Sequence, residues 1–208
     1  MPGVFRASFL TGKIMNPLSR KIFLTACLMV IVTYFVPLWQ IKLEAPQYPE
    51  GIGIHIWLDQ ITGANPHDLD NLNGLNHYIG MKKIIPESIP ELKIMPYIIA
   101  FFILSGLLVF KLNNRKAVWI WTILFILVMA VGLYDFYLWE YDYGHDLNPK
   151  AAIKVPGMSY QPPLVGSKQL LNFVSTSLPS IGGIIIFISI LLGFVSLYLD
   201  SKKKVELK

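Results

Sequence analysis

The chain has 208 residues, of which 54% are hydrophobic and 15% charged. Roughly 25% charged residues is usual in soluble globular proteins, so a chain built around one soluble core is excluded. A single cysteine, Cys27, excludes internal disulfides, zinc ribbons, c-type haem attachment and thioredoxin-like redox chemistry on this chain, and the net charge of +5 is informative only through its distribution.

The N-terminal arm, residues 1–21, carries Arg6, Lys13, Arg20 and Lys21. The first apolar block runs from Ile22 to Trp39 and ends in the aromatics Tyr34, Phe35 and Trp39. Met15 is a more usual lead into this block than Met1, which would make residues 1–14 a disordered extension. Leu24-Thr25-Ala26-Cys27 has the look of a lipoprotein cleavage box, but only two apolar residues, Ile22 and Phe23, separate it from Lys21 and the apolar run continues beyond it. A cleaved signal needs its apolar region before the cut, so the block reads as a retained span.

Residues 40–93 form a long first loop. Within it Gly51 to Leu58 alternates, with Ile52, Ile54, Ile56 and Leu58 on one face and Gly53, His55 and Trp57 on the other, a strand signature. Asn65-Pro66 reads as an N-cap followed by proline at the first helical position. A short helix from there to Ile79 places Leu69, Leu72, Leu75 and Ile79 on one stripe, with Gly80 as its stop. A second span covers Ile94–Phe110, a basic link covers 111–116, and a third span covers Ala117–Leu133. The second loop, 134–178, opens on aromatic and acidic residues, and Pro156-Gly157 and Pro162-Pro163 mark turns. The last span is 179–199, with its apolar run from Ile181 to Leu199, before a basic tail at 200–208.

The apolar runs have 17 to 19 residues. As helices they reach about 26–29 Å, enough for a bilayer's hydrocarbon core. Backbone amides in lipid must be bonded internally, so each is expected to be helical. The expected fold is an all-α membrane protein of four transmembrane helices, whose two loops pack together as a small cap holding a short helix and a strand pair.

The arm, link and tail hold eleven Lys or Arg against Asp200 and Glu206, a net +9, whereas the two loops hold seven Lys against eleven acids, a net −4. The positive-inside rule then puts both termini in the cytoplasm of a bacterial inner membrane and both loops in the periplasm. The flanking basic residues serve this orientation, so nucleic-acid binding is not implied.

All four histidines fall in the loops. His77 and Met81 are four apart, and an imidazole one helical turn from a thioether is a soft pair suited to Cu(I). His145 and Met158 are further ligands of the same kind in the second loop. The ordinary reading is that loop histidines hydrogen-bond and methionines pack. Opposite the leucine stripe, Asp70, Asn73, Gly74 and His77 face solvent or a partner, and Tyr78 adjoins them. A second constellation is acidic: Asp135, Glu140, Asp142 and Asp146 lie among tyrosines, Trp139 and His145 at the expected outer surface. Carboxylates at that depth are candidates for holding a quinol head and taking its protons, against the plainer view that they are solvated. The spans contain no histidine, which excludes a transmembrane bis-histidine haem, and the chain has no P-loop, GxSxG or HExxH motif. These residues support no catalysis by this chain alone.

Four stretches carry a resemblance: Ala45-Pro46-Gln47-Tyr48-Pro49-Glu50-Gly51, Leu72-Asn73-Gly74-Leu75-Asn76-His77-Tyr78-Ile79-Gly80-Met81, Trp139-Glu140-Tyr141-Asp142-Tyr143-Gly144-His145 and Pro156-Gly157-Met158-Ser159-Tyr160-Gln161-Pro162-Pro163. Over about residues 20–200 the chain resembles small membrane proteins encoded beside clade II nitrous-oxide reductases, with a copper chaperone lipoprotein and an ABC-type maturation system. The resemblance implies service to a periplasmic copper enzyme by anchoring it, loading its copper or passing it electrons. It implies that His77, Met81, His145 and Met158 handle copper or touch the partner. Three readings stand at this point: a non-enzymatic accessory subunit that docks the reductase, a quinol-linked electron-transfer subunit, and a purely structural anchor.

Overall fold

The computed structural model describes residues 14–205, with side chains through residue 202. Residues 1–13 of the expected N-terminal extension, with Arg6 and Lys13, and residues 206–208 lie outside the described residues. Among the described residues four helices are long and apolar enough to cross a membrane, and five strands form one antiparallel sheet. The all-α expectation therefore does not hold.

Helix α1 (Pro17–Met29) begins where the sequence allows. Pro17 has no N–H to leave unbonded at the first turn, and the Asn16 side chain accepts from the Ser19 N–H at 2.9 Å. The expected helix to Trp39 stops early. It tightens into a 3-10 segment, Val30–Tyr34, and Trp39 already starts strand β1 (Trp39–Ala45). The run Val30-Ile31-Val32-Thr33 is β-branched throughout, and Pro37 both lacks a donor and bars helical geometry in the residue before it.

Strand β2 (Tyr48–Ile56) starts three residues before the expected Gly51 and ends two before Leu58. Ile52, Ile54 and Leu58 are buried as the alternation requires, while Ile56 is half-buried. Strand β3 (Ile61–Gly63) follows. Helix α2 (Asp68–Ile79) does not use Asn65 as its cap. The residue before it is His67, in the left-handed region at φ 68°, and the Asp68 carboxylate instead accepts from the Asn65 backbone N–H at 3.0 Å. Gly80 ends the helix at φ 85°, the stop the sequence foretold.

Helix α3 (Pro90–Leu112) extends the second span at both ends. Helix α4 (Arg115–His145) is the largest departure. The second loop was expected from Tyr134, yet the helix continues to His145, because the end of an apolar run removes the lipid and not the helix: no proline intervenes before Pro149. The chain then forms a hairpin of β4 (Gly166–Leu170) and β5 (Phe173–Pro179) before α5 (Ile181–Val205). The sheet order is β3-β2-β1-β5-β4, so strands from both expected loops pair through β1 and β5.

The chain divides into two compact units. The helical unit holds the described residues up to Val32, Tyr97–Ala130 and those from Ile185 onward. Its centre is aromatic: Phe23 and Phe125 each lie within 5.2 Å of the Trp121 ring, and the Trp121 indole N–H donates to the Phe102 carbonyl at 3.1 Å. Helices α1 and α5 are joined by two buried hydroxyls, Ser189 donating to the Ala26 carbonyl and Ser196 to the Ser19 carbonyl, each at 2.8 Å. Helices α1 and α3 approach so closely at Gly106 that a Cβ there would lie 2.5 Å from Cys27 Sγ. At the basic end the buried Asp200 accepts from the Asn16 N–H at 2.9 Å and lies 3.8 Å from the Arg115 Nε. Large apolar side chains such as Phe101, Leu104, Leu127 and Phe187 stand exposed on these helices. A hydrocarbon solvent accounts for that pattern and water does not.

The sheet unit comprises Thr33–Pro96 and Val131–Ile184. It is one body made from the two segments expected to pack together. Ile41, Ile54, Ile61, Ile84 and Leu92 form its buried cluster, covered by Leu69 and Leu72 of α2 and by Phe136, Trp139 and Tyr143 of α4.

Candidate functional site

Within the sheet unit a cavity lies among the inner face of β1 and β2, the stripe of α2 and the end of α4. It is a small, partly open cavity of about 70 Å³. Its walls are apolar and aromatic, from Ile41, Ile54, Leu72, Trp139, Tyr143 and Phe173 among others. Alternation brings the isoleucines inward from the strands, and helical spacing brings Trp139, Glu140 and Tyr143 to one side of α4.

Glu140 is the one carboxylic acid in that lining. It is 1% exposed, and neither carboxyl oxygen has a hydrogen-bond partner among the described residues. It lies past the charge-free stretch 117–133 and past Asp135, in the part of α4 that belongs to the sheet unit and not to the helical unit. Desolvation by burial, with no cation beside it, pushes its carboxyl up from 4.5 to about 8, so the group holds its proton at neutral pH.

Tyr160 lines the same cavity. It is buried, and its hydroxyl too has no partner among the described residues. Its place is fixed through the backbone: the Tyr160 N–H donates to the Gly144 carbonyl at 2.9 Å. Gly144 is required for this approach, since a Cβ there would lie 2.4 Å from the Gln161 Cα. Tyr160 lies in a stretch that carries the resemblance, but its turn-rich, aperiodic neighbourhood does not mark it as a site residue.

Asp68 is the other buried acid of this unit, and its environment is the opposite. One of its oxygens accepts from the Gly53 N–H at 3.1 Å, the Asn65 N–H at 3.0 Å and the Asn65 side-chain amide at 3.2 Å. It ties the start of α2 to β2 and is fully accounted for as a structural group.

The expected acidic constellation is split. Asp142 and Asp146 are exposed and both pair with Lys82, at 2.8 and 2.9 Å. Such solvent-facing pairs contribute little to stability. His145 is exposed, stacks on Tyr141 with ring centres 3.9 Å apart, and its Nδ1 lies 3.0 Å from the Tyr141 carbonyl. Asp135 is half-buried, and Trp139 stacks between Phe136 and Tyr143. Of that group Glu140, Trp139 and Tyr143 line the cavity, whereas Asp135, Asp142, Asp146 and His145 do not.

Of the expected copper ligands, His77 lies on α2, Met81 just past its end, His145 at the end of α4 and Met158 between α4 and β4. His77 is exposed on α2, but the helix ends at Ile79, so the one-turn spacing from His77 to Met81 does not exist. Met81 is half-buried against the cavity, and Met158 is half-buried in the segment between α4 and β4. Among the described residues no three His, Cys, Asp or Glu gather as a metal-binding group. Of the expected partner contacts, Asp70 and Tyr78 are exposed. Asn73 is occupied internally, accepting from the Ile84 N–H at 2.7 Å and donating to the Ile84 carbonyl at 3.0 Å.

No protein-family model matches this chain, and no curated protein matches it.

Proposed function

We propose that this chain is a membrane-anchored accessory subunit, held by its four apolar helices, whose sheet unit stands on the extracytoplasmic face and docks a periplasmic copper enzyme. The observation that supports it most is the union of the two interhelix segments into one body. Residues 33–96 and 131–184 share a five-stranded sheet, far more structure than joining helices requires. The Lys and Arg asymmetry favours the outer face for that body, with both termini in the cytoplasm. Exposed Tyr78, 57% accessible, and Ile153, 48% accessible, lie on segments joined by the bond from the Ile153 N–H to the Tyr78 carbonyl and are the apolar residues we take as partner contacts. The resemblance names nitrous-oxide reductase as the enzyme, and His77, Met81, His145 and Met158 as residues that touch it or handle its copper.

The test is co-purification of the tagged full-length chain from its native membrane. The proposal expects a periplasmic copper enzyme in the eluate, reduced at least tenfold by a Tyr78→Asp, Ile153→Asp double substitution. An eluate without such an enzyme refutes it. Anaerobic Cu(I) titration of the same preparation examines the copper role, which requires binding that a His77→Ala, Met81→Ala pair weakens.

A further inference from the structure

The contrast between the two buried acids of the sheet unit decides what Glu140 is for. Asp68 has three N–H donors and holds two elements together. Glu140 holds nothing together. It is as buried as Asp68, has no donor on either oxygen among the described residues, and lines a cavity whose remaining walls are almost wholly apolar. An unpaired buried polar group costs stability, and an apolar side chain of the same size would fold better in its place. A buried acid left without a partner at the wall of a cavity is a candidate for meeting a ligand there.

The cavity says what that is. Three buried polar groups on residues of its lining have no partner among the described residues: the Glu140 carboxyl, the Tyr160 hydroxyl and the Trp139 indole N–H, which only donates. A neutral carboxyl both donates and accepts, and so does a phenol, so together these two match a hydroxyl and not an ion. The surrounding Trp139, Tyr143 and Phe173 offer the faces and edges that aromatic rings prefer. An enclosed apolar cavity of about 150 Å³ takes a whole benzene ring. With about 70 Å³ and partly open, this one takes the leading edge of a ring, and the remainder of the molecule stands outside it. Met81 in the wall is the kind of side chain that yields to such an entry.

We infer that the Glu140 cavity is a binding site for a hydroxylated aromatic ring of the hydroquinone class, whose buried hydroxyl bonds to Glu140 and Tyr160. The inference stands independently of the docking role. It replaces the wider acidic constellation with one carboxyl and one phenol. No electron transfer is part of it. Both membrane quinols and soluble phenols have this chemistry, and a long alkyl tail on the same ring separates them: tighter binding with the tail marks a membrane source.

The test uses the full-length chain in detergent micelles, with methylhydroquinone and its dimethyl ether as probes under anaerobic conditions, measured by equilibrium dialysis. Saturable binding of methylhydroquinone is expected, at least tenfold tighter than that of the ether. Glu140→Leu is expected to fold at least as well as the parent and to lose at least tenfold in affinity, and Tyr160→Phe to lose several-fold. Because Glu140→Leu removes an orphaned group, its loss of binding is not explained by unfolding, which an unchanged tryptophan spectrum verifies. No saturable binding by the parent, equal binding of the ether, or undiminished binding by Glu140→Leu overturns the inference.

Discussion

Glu140 makes the stability of the sheet unit depend on pH in a direction opposite to that of an ordinary paired carboxylate. Its carboxyl titrates near 4.5 in the unfolded chain and near 8 when folded. Between those values the folded protein holds a proton that the unfolded chain has released, so folding takes up a proton and stability falls as pH rises. The fall begins at the unfolded value and levels off above the folded one. At about 1.4 kcal/mol per unit, the difference amounts to roughly 5 kcal/mol across the window. Among the described residues, no other carboxylate and no Lys, Arg or His lines the cavity to offset it. Guanidinium unfolding of the full-length chain in mild detergent, followed by tryptophan fluorescence between pH 4.5 and 9, reads the effect as a falling midpoint at constant slope. Other ionisable groups contribute to the parent's profile, so the informative curve is the parent minus Glu140→Leu. That difference is expected to be small at pH 4.5 and to grow in favour of the variant up to pH 8. Parallel profiles for the two proteins would show that Glu140 is solvated or paired, and would refute the reasoning.

Three further outcomes rest on named contacts. Asp68→Ala leaves the buried Gly53 N–H without its acceptor and is expected to destabilise the sheet unit by about 1–3 kcal/mol, read by the same unfolding assay, with Asp68→Asn less severe. Gly144→Ala drives a methyl into the Gln161 backbone and is expected to cost about 1–3 kcal/mol and to displace Tyr160, seen as weakened methylhydroquinone binding. Gly106→Ala places a methyl against Cys27 Sγ and is expected to lower the thermal midpoint of the helical unit, with Cys27→Ala restoring part of the loss in the double variant.

Much of the helical unit is legible in the sequence because lipid imposes a strong signal. Unbroken apolar runs mark all four helices, and Ile181 stands out as the start of the last one. The ends are less legible. Nothing apolar distinguishes Trp39 as the start of a strand from Trp39 as the end of a span, and only Pro37 and the β-branched run before it signal the change. The continuation of α4 to His145 is hidden for a related reason: Tyr134 to Tyr143 is too polar for a membrane and so reads as a loop, when it is a helix supporting the sheet unit.

The sheet is legible only in part. Gly51–Leu58 alternates apolar residues inward and is recognisable as strand. Strand β5 alternates as well, but its buried positions are Ser175 and Ser177, so a search for apolar faces passes over it. Ser177 is buried because the Trp39 indole N–H donates to its hydroxyl at 2.8 Å and the hydroxyl donates onward to the Leu164 carbonyl. Such a pairing joins residues 138 positions apart, and no local pattern carries it. Glu140 is recognisable as a candidate from its acidic and aromatic neighbours. That it is buried while Asp142 is exposed depends on which side of α4 faces β1 and β2, which the sheet's formation decides.

The side of the membrane on which the sheet unit stands is tested most directly by impermeant-maleimide labelling of single-cysteine variants in spheroplasts. Cys27 is buried among helices and is replaced by alanine to clear the background. Cysteine at the exposed position of Tyr78 is expected to label in intact spheroplasts, and cysteine at Lys116 only after permeabilisation. Labelling at Lys116 in intact spheroplasts with protection at Tyr78 would put the sheet unit in the cytoplasm and contradict the account.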